Sequence, residues 1–370
     1  MSSNRLERLA DVLVGYCTRV RTGDLVCVDT GPAAASLVEA VWRRVLEAGG
    51  HPHLRLDVDG APDLLLRDGT DEQLTWVSPV RRSEVERADV RIAIYADVNT
   101  RANGGVDPER QARLERSHDP IRRTHLARVG SGDLRGVVTL YPTQAAAQDA
   151  DMSLPEYEDF VFRAGLLDHE DPRGEWEALG RAYGRLAGQL GQSAELRIVG
   201  EGTDLTLGVE GRTWVPSDGR ENFPDGEVFT GPIETSVDGT ISFTYPSSFA
   251  GRRISGVQLE FRGGEVVRSD AVEGEAFLRQ MLALDEGARR AGEFAFGLNE
   301  AVTEFTGHTL FDEKIGGTVH LALGASYPET GGQVQSALHW DLVCDLRNGS
   351  EVYADGELVY RDGRFLNGVV

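Results

Sequence analysis

The sequence predicts an α/β amino-terminal part built on an open parallel sheet with helices, followed by a carboxy-terminal β-rich α+β domain. Three observations carry this expectation. Short apolar runs alternate with helix-length segments as far as Leu140; glycine-punctuated, alternating segments take over beyond Glu195; and 370 residues exceed the size at which a single hydrophobic core stops growing. The composition changes near residues 190–195, so the domains are expected at 1–192 and 193–370.

In chain order, Asn4 can cap a helix in which Leu6, Leu9, Val12, Leu13 and Val20 recur at helical spacing, with Gly23 closing it. Leu25 to Val28 is a strand leading through Asp29-Thr30-Gly31-Pro32 into an alanine-rich helix that ends at Gly49-Gly50. Leu54, Leu56 and Val58 alternate as a second strand, which completes a β-α-β unit, and Val90–Ala96 and Gly136–Leu140 add two more. The turn DTGPAAAS has neither G-x-G-x-x-G nor a Walker lysine, so this half reads as a scaffold without a nucleotide site. His51 and His53 flank Pro52 with no acidic or cysteine neighbour in sequence and read as surface or structural residues. Thr143 to Leu190 is helical, with a start at Ser153-Leu154-Pro155-Glu156 and Phe160, Phe162 and Trp176 as core anchors. Leu196–Val199, Asp204–Leu207, Thr240–Phe243 and Gly256–Phe261 alternate as strands. A helical interruption is expected over Glu273–Ala291, and turn-linked strands such as Glu351–Val359 close the chain.

Lys plus Arg number 38 against 60 Asp plus Glu, a formal net charge of −22, which argues against nucleic-acid or anionic-membrane partners and favours cations or ammonium-bearing substrates, while solubility or a high-salt habitat accounts equally well for most of the surface charge. Cys17, Cys27 and Cys344 lie in apolar segments without C-x-x-C spacing and are expected as reduced, packed thiols. No stretch approaches the ~20 apolar residues that span a bilayer, and the charged start MSSNRLERLADVLVGYC does not resemble a signal peptide, so a cytoplasmic protein is expected.

Chemistry concentrates in the second half. In NFPDGEVFTGP (222–232) a Pro-Asp-Gly turn delivers Glu227 to the entrance of an apolar strand. Glu293 sits between glycine and apolar residues, and His320 lies inside the apolar strand GTVHLALG, both awkward places for unpartnered polar groups. His339 and Asp341 form an H-x-D pair whose side chains project from one face of a strand and can share an ion. His308, in a glycine-flanked loop, is expected to be exposed. Several carboxylates with two imidazoles suit divalent zinc, cobalt or manganese, and they supply more donors than one ion needs.

Taken together, the Pro-Asp-Gly-Glu turn, Glu293, the Asp312-Glu313-Lys314 segment, Thr318-x-His320 and His339-x-Asp341 occur in the order that marks the aminopeptidase T, aminopeptidase S and PepS family of metallopeptidases, which the chain resembles. Tyr141-Pro142-Thr143 with Ala147-Gln148, Gly202-Thr203-Asp204-Leu205 and Phe311–Ile315 extend the resemblance over most of the chain. It implies that Glu227, Glu293, His320, His339 and Asp341 ligate two divalent ions and that Tyr327 faces the substrate. Glu293 would be the bridging ligand, Glu313 the base and Tyr327 the oxyanion donor in peptide hydrolysis. For Glu313, the place in the DEK segment also suits a further ligand, and a salt bridge with Lys314 or another basic group stands as an equally good structural account. A homodimer acting on short peptides is implied in the same way. The connection from Gly324 to His339 is shorter than the resemblance implies, which bears on substrate access.

The rival reading is a ring-cleaving dihydroxypyridine dioxygenase with one ferrous ion on His320, His339 and Asp341. The surplus carboxylates Glu227 and Glu293 favour the two-metal peptidase. A non-catalytic binding protein would lack some of the five ligands, and none is missing.

Overall fold

The structure is a computed structural model that describes residues 3–102, 105–249, 251–366 and 368. It divides into two compact units, Met1–Arg173 with Arg220–Pro224, and Gly174–Gly219 with Asp225–Val370.

The first unit is built on a five-stranded parallel sheet in the order His51–Leu56, Leu25–Thr30, Val90–Tyr95, Arg135–Leu140, Asn222–Phe223. Its central strands are near-continuously apolar because helices cover parallel sheets on both faces. The first helix, Ser3–Asp11, widens into π-helical turns over Val12–Cys17 and stops sooner than the apolar spacing through Val20 suggests. Asn4 lies inside it rather than capping it. The chain leaves the helix at Thr18, whose N–H and hydroxyl both donate to the Leu13 carbonyl, at 3.1 and 2.7 Å. Ser153 caps Leu154–Ala164 through a capping box with Glu156, as the sequence predicts. Within the sheet, buried Asp29 accepts from Arg55 Nε (3.1 Å) and Arg91 Nε (2.6 Å), with Arg81 Nη1 at 3.5 Å. Exposed His53 has an acidic neighbour that the linear sequence hides, Glu84 Oε1 at 3.2 Å.

Helix Pro172–Leu190 carries the chain into the second unit, where Tyr183, Leu186, Ala187 and Leu190 join the core. Contact therefore places the division at 173/174, whereas the compositional change lies near 192. Two antiparallel sheets dominate this unit. One has eight strands, in the order 265–270, 258–262, 238–242, 203–208, 195–200, 351–354, 357–361, 364–365. The other has five, in the order His339–Asp345, Thr318–Gly324, Ala291–Gly297, Glu227–Thr230, Val215–Ser217. Leu196, Ile198, Leu205, Leu207, Ile241 and Leu259 of the first meet Val228, Phe294, Phe296, Leu321, Trp340 and Leu342 of the second in one core. The expected helical stretch Glu273–Ala291 is shorter: Glu275–Leu282 is helical, Gly287–Arg289 is a 3₁₀ turn and Ala291 already opens a strand. Asp285 Oδ1 accepts from the Ala288 N–H (2.9 Å), and a Cβ on Gly287 would fall 2.1 Å from the Gln335 carbonyl oxygen, so this turn is fixed by close packing. Cys17, Cys27 and Cys344 are buried and form no disulfide among the described residues.

Candidate metal centre

The five-stranded sheet sorts its side chains by the period of two. Val228, Phe294, Phe296, Val319, Leu321, Leu323, Trp340 and Leu342 point into the core. Their neighbours Glu227, Glu293, His320, His339 and Asp341 therefore share the opposite face. Register brings them together across four strands, through Gly297 opposite Glu227, Ala295 opposite His320, Glu293 opposite Ala322, and Ala322 opposite Asp341. A bulge at Gly292 sets the position of Glu293. A side chain there is excluded, because its Cβ would sit 2.3 Å from the Gly324 oxygen and 2.4 Å from the Ala325 oxygen.

The result is two three-residue groups that share one carboxylate: Glu227, Glu293 and His320, and Glu293, His339 and Asp341, with the ligand atoms of each within 4.8 Å of one another. Glu293 turns one oxygen to each. Its Oε1 is 3.3 Å from His320 Nε2, which is also 3.4 Å from Glu227 Oε2. Its Oε2 is 3.5 Å from His339 Nε2, which is also 3.5 Å from Asp341 Oδ2. Tetrahedral zinc with bonds of 2.0–2.1 Å would space its ligands about 3.3–3.4 Å apart, so the donor spacing fits such an ion. Two buried carboxylate oxygens, Glu227 Oε2 and Asp341 Oδ1, have no hydrogen-bond partner among the described residues, a costly arrangement that a cation at the carboxylates relieves. His339 Nδ1 lies 2.9 Å from the Ala325 carbonyl oxygen; donating there leaves the Nε2 lone pair facing Glu293 and Asp341.

The two groups differ in exposure. His320, Glu227 and Glu293 are all but sealed, whereas the His339 side chain is 29 % exposed. Burial raises the Glu293 pKa and, with the Asp341 charge, lifts Glu313 to about 8. Burial would lower the His320 pKa, but the Glu293 hydrogen bond and the charges of Glu227 and Glu313 outweigh it and lift it to about 9. Glu227 is held below the usual carboxylate range, burial being outweighed by Lys314 and His320. So many acids in one dry place create a demand for cations.

Tyr327, which is 42 % exposed, packs its ring against His339 (centroids 5.1 Å apart) and Phe229 (5.5 Å). Desolvation and then the charges of Glu293 and Asp341 raise the pKa of its phenol, which keeps the hydroxyl a donor. Glu313 faces Lys314, with Nζ 3.1 Å from Oε2. His308 is half-buried rather than exposed. Its Nδ1 accepts from the Leu310 N–H at 3.2 Å and caps the short helix Thr309–Asp312, a role written in local spacing that a glycine-flanked loop conceals. Sequence reasoning undervalued Lys314 and Asp225, which lie beside Glu227 in the buried part of the site. The signal for Lys314 is compositional: it is the single lysine of the chain.

Comparison with known proteins places the chain in a family. Aminopeptidase T of Thermus aquaticus is 30 % identical over 280 residues, covering 70 % of this chain and 68 % of the relative. The structure of wild-type AmpT from Thermus thermophilus superposes with a TM-score of 0.87 at 23 % identity, covering 98 % of this chain and 99 % of that one. The 2,5-dihydroxypyridine dioxygenase of Pseudomonas putida KT2440 shares the fold more distantly, with a TM-score of 0.63 at 16 % identity over 99 % of this chain and 98 % of that one. The thermophilic metalloprotease (M29) family matches residues 2–365, and the chain belongs to that family of peptide-bond hydrolases.

Proposed function

We propose that the protein is an aminopeptidase that removes residues from the amino termini of short peptides with two divalent ions, zinc, cobalt or manganese. The observation that carries the two-ion reading is Glu293, whose two oxygens face two different ligand groups. Glu227, Glu293 and His320 would hold one ion, and Glu293, His339 and Asp341 the other. When bound, such a pair supplies Lewis acidity for the scissile carbonyl and a water nucleophile at neutral pH.

The remaining steps belong to the chain's own groups. Glu313, half-buried beside Lys314 near the ligands, takes the proton from the attacking water and returns it to the leaving amine. The Tyr327 phenol donates a hydrogen bond to the developing oxyanion. Carboxylate surplus at the more open His339–Asp341 end favours the ammonium of a free amino terminus. The relatives named as aminopeptidases support this choice of peptide end.

Two histidines and one carboxylate for ferrous iron would require His320, His339 and Asp341 to act as a set. Among the described residues His320 groups instead with Glu227 and Glu293, which disfavours the dioxygenase. Glu227→Gln and His339→Ala should each lose bound metal and lower leucyl aryl-amide hydrolysis more than about 100-fold, with the fold retained by circular dichroism. Full activity in either variant would remove that residue from the site. A homodimer completes the proposal on the strength of the family resemblance, and sedimentation of the holoenzyme at the monomer mass would refute it.

A further inference from the structure

Lys314 is 2 % exposed, a position where an ammonium is costly unless closely paired. Its Nζ lies 2.5 Å from Glu227 Oε1, 3.1 Å from Glu313 Oε2 and 3.7 Å from Asp225 Oδ1. The backbone that carries it is independently fixed. Lys314 N–H donates to the Phe311 carbonyl (2.9 Å), the Lys314 carbonyl accepts from Asn299 N–H (3.0 Å), and the Asn299 side-chain amide donates to the Asp225 carbonyl (2.7 Å).

Composition adds an independent argument. The chain has 38 basic residues, and every one except Lys314 is arginine. A sequence that otherwise uses guanidinium throughout keeps an ammonium here, where three separate carboxylates lie within 3.7 Å of one nitrogen. A compact charge with three rotatable donors meets that arrangement, and a planar fork does not.

The effect on Glu227 is specific. With Oε1 engaged by Nζ, the other oxygen, Oε2, is left without a hydrogen bond 3.4 Å from His320 Nε2. We propose that Lys314 is a positioning residue that fixes Glu227 as a one-oxygen metal ligand and tethers Glu313 beside it, so that ligand and base keep one geometry. This rests on the two-ion reading above. The competing account is that Lys314 only offsets buried negative charge, which the removal of any one facing carboxylate would replace.

The test uses the full-length zinc-loaded protein as wild type, Lys314→Met, and Lys314→Met with Asp225→Asn. The double variant removes one charge of each sign without touching a proposed ligand. It should regain thermal stability over the single variant, yet bind one zinc ion about 10–100-fold more weakly in competition with a chromophoric chelator. Its kcat should fall by a similar factor with KM nearly unchanged. Wild-type zinc affinity and kcat in the double variant would overturn the proposal in favour of simple charge offset.

Should neither variant fold, wild type labelled with ¹⁵Nζ-lysine gives one side-chain ammonium signal. That signal should move as zinc is removed and return on reloading, and an unmoved signal would overturn the proposal. A wild type that holds fewer than two ions defeats the two-ion reading itself, which separates that failure from failure of the lysine assignment.

Discussion

At the scale of single residues, Glu293 is the junction of the site, because each of its oxygens faces a different histidine. Glu293→Gln should therefore reduce the content of both ions, whereas Asp341→Asn and Glu227→Gln should each deplete one, as elemental analysis of the purified variants would show. The H-x-D pair was legible in the sequence because i and i+2 of a strand share a face by local geometry alone. The grouping of His320 with Glu227 and Glu293 was not, since it depends on strand register set by residues far apart in the chain. Lys314 was legible as a type, the lone lysine, but its three partners are assembled only by tertiary structure.

At the scale of elements, the Gly292 bulge and the His339 strand are coupled through one carbonyl. Ala325 O would meet a Cβ on residue 292 at 2.4 Å, and it is also the partner of His339 Nδ1. Gly292→Ala should cost about 1–3 kcal/mol of stability through overpacking and also weaken the metal site by disturbing Glu293 and His339 together. Denaturant unfolding alongside metal affinity would show both effects or refute the coupling.

In the parallel sheet, Asp29 is held below the usual carboxylate range because Arg91, Arg55 and Arg81 outweigh the opposing effect of its burial. Its folded pKa is depressed, so its stabilisation is present above the unfolded value of about 4 and is lost as pH falls through the folded value. Asp29→Asn should thus be destabilised at neutral pH by about 2–3 kcal/mol, toward the low end for a broken buried pair since the arginines are partly exposed, and the gap should shrink below about pH 4. Short apolar runs made most of these strands readable in advance. The early end of the first helix was not, because the backbone turns at Arg19 into the left-handed region (φ 48°), which apolar spacing does not record.

At the scale of the whole molecule, the division of labour follows from which side of each sheet is dry. The first unit buries the central strands of its parallel sheet, and the second packs two antiparallel sheets on one face and gathers acids and imidazoles on the other. The change from α/β to β-rich architecture was visible in composition, while the placement of helix Pro172–Leu190 was not, since its sequence reads as helix whichever core it joins. Ion binding to the folded state alone should stabilise the protein by mass action, about 4 kcal/mol at a thousandfold excess over Kd for each ion. Stripping with a chelator should accordingly lower the midpoint of thermal unfolding and re-addition of zinc should restore it, whereas an unchanged midpoint would show that the buried acids do not depend on a cation.

The most direct test of the two-metal aminopeptidase is elemental analysis of the purified protein combined with hydrolysis of leucyl and arginyl aryl-amides after addition of zinc, cobalt or manganese. The predicted result is about two divalent ions per chain and metal-dependent release of the aryl amine. About one iron per chain with no amide hydrolysis would contradict it.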